Sequence, residues 1–169
     1  MTSNRLRLLT IISTLIVVPS ATCLLASTIH PLHPIDRNPI TQITLEHGGC
    51  FGACPVYTVT ITPNNLARYE GKSYAPRQGT FTGQTWGWQC LVKSFDNAGF
   101  DHLSPPTEQI VDAEQITITT TRHNGATKRI AFTPTEDAQP LWELEQIVDG
   151  SVTNVHWKPV PPRPTSQVR

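Results

Sequence analysis

From residue 43 to residue 62 apolar and polar positions alternate with a period of two, interrupted once by a glycine-rich stretch. ITLEH (43–47) sets Ile43, Leu45 and His47 against Thr44 and Glu46, which predicts a short half-buried strand. VYTVTIT (56–62) sets Tyr57, Val59 and Ile61 against Val56, Thr58 and Thr60. Only the first of those sets is wholly apolar, so it is the expected core face. β-Branched and aromatic residues dominate both segments, as a pleated, half-buried surface favours. PNN (63–65) signals a turn and LARYEGKSY (66–74) reads as the returning strand of a hairpin. With GTFTG (79–83) as a further strand, the run predicts an antiparallel meander.

The period then changes. Trp88, Leu91, Val92, Phe95 and Gly99 fall on one stripe of a 3.6-residue repeat, and Gly99 suits the left-handed position after a helix. Residues 101–115 hold Pro105, Pro106 and several acids and read as a surface connector, in which Asp112 and Glu114 are expected to be solvated. ITITTT (116–121) and TKRIAF (127–132) flank Asn124-Gly125, a strong hairpin signal. Thr133-Pro134-Thr135-Glu136 has the pattern of a capping box. Pro140 would break a helix running straight on from it, so a short turn is expected at 134–138. The main helix is then predicted from Pro140 to about Val148, with Leu141, Leu144 and Val148 as its buried stripe. Strands, helix, hairpin, helix in that order predict an α+β fold: an antiparallel sheet, meander plus hairpin, with two helices packed on one face. The expected divisions are an N-terminal signal or anchor (1–26), an extended linker with three prolines (27–40), the α+β domain (41–150) and a proline-rich tail (151–169).

Composition narrows the class. Only 15% of the 169 residues are charged and the formal net charge is zero, so the chain lacks the basic field of a nucleic-acid binder. The N-terminus has the order of an export signal: Arg5 and Arg7, the apolar run Leu8 to Val18, then Pro19, Ser20 and Ala21. Three outcomes fit it: a cleaved signal, lipidation at Cys23 after a poor cleavage box, or retention of the roughly 19 residues Leu8 to Ala26 as a membrane anchor. Each places the domain outside the cytoplasm, periplasmic or extracellular, and touches a membrane only through that segment.

That compartment frames the chemistry of HGGCFGACP (47–55). Two cysteines four apart in an oxidising compartment are expected to pair, and so small a ring stabilises by about 2 kcal/mol. Gly48, Gly49 and Gly52 would permit a tight ring, and Pro55 fixes the exit into the strand. The other readings are a zinc or copper site using His47, Cys50 and Cys54, and a thiol-redox pair. The redox reading lacks both the CxxC spacing and a following helix. Cys90 lies about 160° from the helical stripe, beside Trp86. It is expected either beneath the C-terminal tail near Trp157 or bonded to Cys23 or a second chain.

The segment GCFGACPVYTVTI resembles the bacterial domain-of-unknown-function family 6438, whose hallmark is C-F-G-x-C-P-x-Y leading into a strand. Cys50, Phe51, Gly52, Cys54, Pro55 and Tyr57 match it position by position, and the likeness extends from about Ile43 to Asp149. The resemblance implies an exported or lipid-anchored domain and brings no activity with it. One departure is the start of the first helix, QTWGWQC (84–90), where a polar cap is expected.

No GxSxG, HExxH or P-loop is present. Glu143 and Glu145 point about 200° apart on a helix and cannot share a site. Ser73, Ser94 and Ser104 have no ordered histidine partner in the sequence, and His102, His123 and His156 read as isolated and exposed. An exported cell-envelope structural or interaction module is expected rather than an enzyme, with no cofactor; its partner is left open, an envelope protein being the one candidate. Metal or redox chemistry at His47, Cys50 and Cys54 is the alternative.

Overall fold

In the computed structural model, which describes residues 38–161, the alternating segments form strands and the 3.6-residue stripes form helices. In chain order these are β1 (Ile40–His47), β2 (Tyr57–Ile61), β3 (Leu66–Gly71), β4 (Gly79–Gln84), α1 (Trp88–Asn97), β5 (Ile116–Arg122), β6 (Thr127–Phe132), α2 (Gln139–Val152) and β7 (Lys158–Pro159). The strands make one sheet of order β6-β5-β1-β2-β3-β4-β7, antiparallel throughout. The fold is α+β, and the predicted meander and hairpin are joined by β1, which pairs with both β2 and β5.

Register places the apolar sets on one face. Ile43 lies opposite Ile61 and Leu45 opposite Val59 on β2, while Leu45 lies opposite Ile118 on β5. These side chains are fully buried, together with Phe95 of α1 and Leu144 and Val148 of α2. Each such side chain contributes about 1.5–3 kcal/mol.

Both helices differ from expectation at their ends. α1 starts without a side-chain cap of its own, after Gly87 at φ 77°. Its cap comes from the β2–β3 turn, where Asn65 Oδ1 accepts from the Trp88 backbone N–H at 3.0 Å, so the aromatic QTWGWQC start is compatible with a helix. Gly99 adopts the expected left-handed conformation, φ 62°. A single 3₁₀ turn (Glu136–Ala138) fills the predicted short turn, with no capping-box hydrogen bond. Pro140 sits in the first turn of α2, and the helix runs a full turn past Val148 to Val152.

Residues 151–160 are a larger difference: they belong to the domain and not to a detached tail. Val155 is buried, Trp157 packs against Tyr69 with ring centroids 5.5 Å apart, and Lys158–Pro159 extends the sheet beside β4. An apolar pair, Val155 and Trp157, supplies the burial that a proline count conceals. Pro159 lies on the edge strand, where its missing N–H leaves no ladder bond unmade. At the other end Ile40, read as the last linker residue, is the buried first residue of β1. The N–H of His123 donates to Pro39 O and that of Asn124 to Asn38 Oδ1. The signal, anchor and lipidation readings of residues 1–26, the linker up to residue 37 and the tail beyond residue 161 lie outside the described residues. Among the described residues no helix is long and apolar enough to cross a membrane.

Candidate functional site

The glycine-rich loop leaves β1 at His47 and returns into β2 at Tyr57, and these two residues are cross-strand partners. Cys50 and Cys54 are joined by a disulfide, with Cα atoms 5.6 Å apart. The loop backbone is fastened on both flanks: Gly48 N–H donates to Gln115 O at 2.8 Å, Phe51 N–H to Asp112 O at 3.1 Å and Val56 N–H to Ser73 O at 2.8 Å. Gly48 is needed for close approach, because a Cβ there would lie 2.9 Å from Gln115 O. Phe51 at the loop tip is 89% exposed and Val111, beside Asp112, is 85% exposed.

The disulfide uses both sulfurs, so neither is a thiolate ligand and the predicted His47–Cys50–Cys54 metal set is not assembled. His47 turns away from the loop to the core face and is only 6% exposed. Its Nδ1 lies 2.7 Å from Glu114 Oε1. Its Nε2 faces Asp149 Oδ2 at 3.4 Å and Glu145 Oε1 at 3.6 Å, and makes a hydrogen bond with neither. Glu145 Oε2 is likewise buried without a partner. The Tyr57 ring stacks on the imidazole, centroids 4.3 Å apart and planes 15° apart, and its hydroxyl donates to Asp149 Oδ2 at 2.8 Å. One ligating atom each from His47, Glu145 and Asp149 lies within 4.8 Å of the others.

Four segments build this cluster. β1 and β2 supply the stacked rings, and the connector ahead of β5 supplies Glu114, since Ile116 pairs with His47. α2 supplies Glu145 and Asp149, one turn apart on the same face. So dense a set of acids perturbs its members. Burial and the Asp149 charge push the Glu145 carboxyl up to about 7, with His47 partly opposing them. Burial alone would lower the His47 pKa, but the carboxylates of Asp149 and Glu114 outweigh it and hold the imidazole above its ordinary value. Burial and the neighbouring carboxylates push the Tyr57 hydroxyl upward. The cluster can therefore hold or exchange a proton near neutral pH, or hold a cation. Asp149 and Tyr57 also line an adjoining open cleft of about 370 Å³, together with Tyr69, Trp157 and Arg77.

A family model described as "Domain of unknown function (DUF6438)" matches residues 41–152. The chain belongs to this family. No curated protein matches it. The DUF6438 match runs from β1 to the last residue of α2, so it includes His47, Tyr57, Glu114, Glu145 and Asp149 as well as the cysteine loop. It stops short of Trp157 and β7.

Within the DUF6438 domain, the motif residues Cys50, Phe51, Gly52, Cys54, Pro55 and Tyr57 divide into two roles. The first four form the exposed loop and its staple, and Tyr57 belongs to the buried cluster, with Pro55 lining the cavity between. Glu114, expected to be solvated, is instead paired with His47, because the strand pairing of Ile116 carries the connector over the imidazole. Glu145 shares no site with Glu143, as its direction on the helix requires, yet it does share one with Asp149. One signal for this was legible: Glu145 lies four residues after Leu141 and three before Val148, an acid on an apolar stripe.

Cys90 is disulfide-bonded and no cysteine among the described residues is free; Cys23, one of the partners expected for it, lies outside the described residues. Trp86 is exposed and Trp157 packs on Tyr69, so Trp86 and Cys90 sit near Ile147 of α2 and away from Trp157; the tail beyond residue 161 is outside the described residues. His102, His123 and His156 are exposed and apart from the cluster.

Proposed function

We propose that this chain is an exported cell-envelope module without catalytic activity, which docks a partner protein through its disulfide-closed CFGACP loop. The observation that carries the reading is the 89% exposed Phe51 on a loop held by a disulfide and by backbone hydrogen bonds on both flanks. A large apolar side chain on a rigid loop is preorganised to bind, because little conformational freedom remains to be lost. Aromatic anchors of this kind dominate interface energies. The Phe51 N–H bond to Asp112 brings the exposed Ile110 and Val111 alongside, which widens the apolar tip. Export is supported by the Arg5, Arg7 and Leu8–Val18 pattern and by a disulfide of the kind that persists in oxidising compartments.

A photo-crosslinking amino acid at position 51, in cells producing the full chain, is expected to capture a discrete envelope protein, while the same probe at the exposed Gln89 does not. The purified pair should lose at least about 30-fold in affinity on Phe51→Ala, the size of an interface hot spot. Unchanged affinity in Phe51→Ala, or protein recovered only from the cytoplasmic fraction, rejects the proposal.

A further inference from the structure

The disulfide loop leaves unexplained why the domain buries a histidine among three carboxylates. We infer that His47, Glu145 and Asp149 form a binding site for a first-row divalent cation of the zinc class. The site is independent of the cysteines and of any partner at Phe51.

The first reason is the tautomer. Glu114 Oε1, 2.7 Å from His47 Nδ1, accepts a hydrogen bond from that nitrogen, so Nε2 is the ring nitrogen left to face a ligand, and a cation bound there would displace the proton it carries in the metal-free domain. A carboxylate behind a histidine is the usual arrangement of a metal-bound imidazole, because it fixes the ring and raises its basicity. Nε2 then points between Glu145 and Asp149, buried and without any hydrogen-bond partner. A ring nitrogen buried at 6% residue exposure that faces two carboxylate oxygens without hydrogen-bonding either is a position a cation between them would satisfy better.

The second reason is distance. Gaps of 3.4 and 3.6 Å from Nε2 to the two carboxylate oxygens come with no hydrogen bond. They are close to the edges of a tetrahedral zinc site, where bonds of about 2.0–2.1 Å place ligand atoms about 3.3–3.4 Å apart. The third is charge. Two carboxylates neutralise a divalent ion once Glu145 releases its proton to solvent, while Glu114 stays outside as the partner of Nδ1. Tyr57 orients Asp149 by donating to Oδ2, and its stacked ring stops the imidazole from turning. One histidine and two carboxylates suit zinc better than copper(I), which prefers sulfur, or magnesium, which prefers all-oxygen shells. Three protein ligands leave a fourth position for water.

The test uses the purified chain with its disulfides intact, stripped with chelator and titrated with zinc sulfate by calorimetry, and with cobalt(II) by visible absorption. One ion per chain is expected, with the intense visible bands of a four-coordinate cobalt. Glu145→Gln preserves shape and should still fold; it is expected to weaken zinc by about 100-fold or more. Glu114→Gln, which touches only the imidazole, is expected to weaken it by about 10- to 100-fold. His156→Ala, at an exposed histidine elsewhere, should leave binding unchanged. No stoichiometric zinc uptake at micromolar concentrations overturns the inference. So does uptake undiminished in both Glu145→Gln and Asp149→Asn, which would place the ion elsewhere.

Discussion

Glu145→Gln should stabilise the metal-free domain at alkaline pH, the opposite of its expected weakening of zinc binding. In the folded chain the Glu145 carboxyl is pushed up to about 7 from an ordinary 4.5, by burial and by Asp149. The folded state therefore holds this proton more tightly than the unfolded state. Stability from this group is fully present below about pH 4.5 and is lost as pH rises through 7. The difference between those two values corresponds to at most about 3 kcal/mol, at about 1.36 kcal/mol for each pH unit. Relaxation and water access around a helix side chain reduce this to about 1–2 kcal/mol. His47 acts in the same direction. Its pKa is raised above the ordinary 6.5, so its contribution is present below that value and lost as pH rises through the folded one. A glutamine in place of Glu145 would keep the shape and abolish the first titration while leaving the second. Urea denaturation followed by circular dichroism, at about pH 5 to 8 in chelator, measures both chains. The stability of Glu145→Gln minus that of the unmodified chain should grow by about 1–2 kcal/mol across this range, with equal urea dependence. A difference that does not change with pH, or an unmodified chain that is the more stable at the alkaline end, refutes the reasoning. A side chain that costs stability and is placed with this geometry is what a ligand site requires.

Other expectations follow from separate parts of the structure. Replacing both Cys50 and Cys54 by Ser should cost about 2 kcal/mol in equilibrium denaturation, as a closed loop with a sequence separation of 4 implies, and no change in stability would contradict a staple. Tyr57→Phe removes the donor to a carboxylate and should cost about 1.5–3 kcal/mol; calorimetric melting would show no loss if that bond is idle. Gly83→Ala would set a Cβ 2.3 Å from Val155 Cγ1, so a cost of about 1–3 kcal/mol is expected. Faster hydrogen exchange at Val160, whose N–H donates to Thr80 O, would report the loosened end, and unchanged exchange would argue against docking of β7. Phe51→Ala should leave stability within about 0.5 kcal/mol, since the ring is in solvent; a large loss would mean that it packs in the fold.

The secondary elements were legible because they answer to local rules. Alternation marked β1 and β2, the Pro63-Asn64-Asn65 turn marked the return into β3, Asn124-Gly125 marked the β5–β6 hairpin, and the spacing of Leu91 and Phe95 marked the buried face of α1. β7 was not legible. Two paired residues carry no period, and what holds them is Trp157 against Tyr69, a contact between residues far apart in the chain. The cap of α1 escaped for the same reason, since Asn65 comes from a different turn.

The candidate site divides along the same line. The cysteine pair and its loop could be singled out and a disulfide expected, because Cys50 and Cys54 are only four residues apart, and the structure joins them. His47 could be singled out as a chemical group, but not assigned its companions. Helical periodicity could place Glu145 on the apolar face of α2 and Asp149 one turn beyond it. Only the packing of that face against β1 and β2, with the β1–β5 pairing that carries Glu114 across, brings three carboxylates around one imidazole. Sequence by itself determined the first six strands, the two helices and the expectation that Cys50 pairs with Cys54, all governed by near neighbours. Tertiary structure decided the charged cluster, because burial and distance between remote segments exist only once the sheet is paired and α2 lies against it.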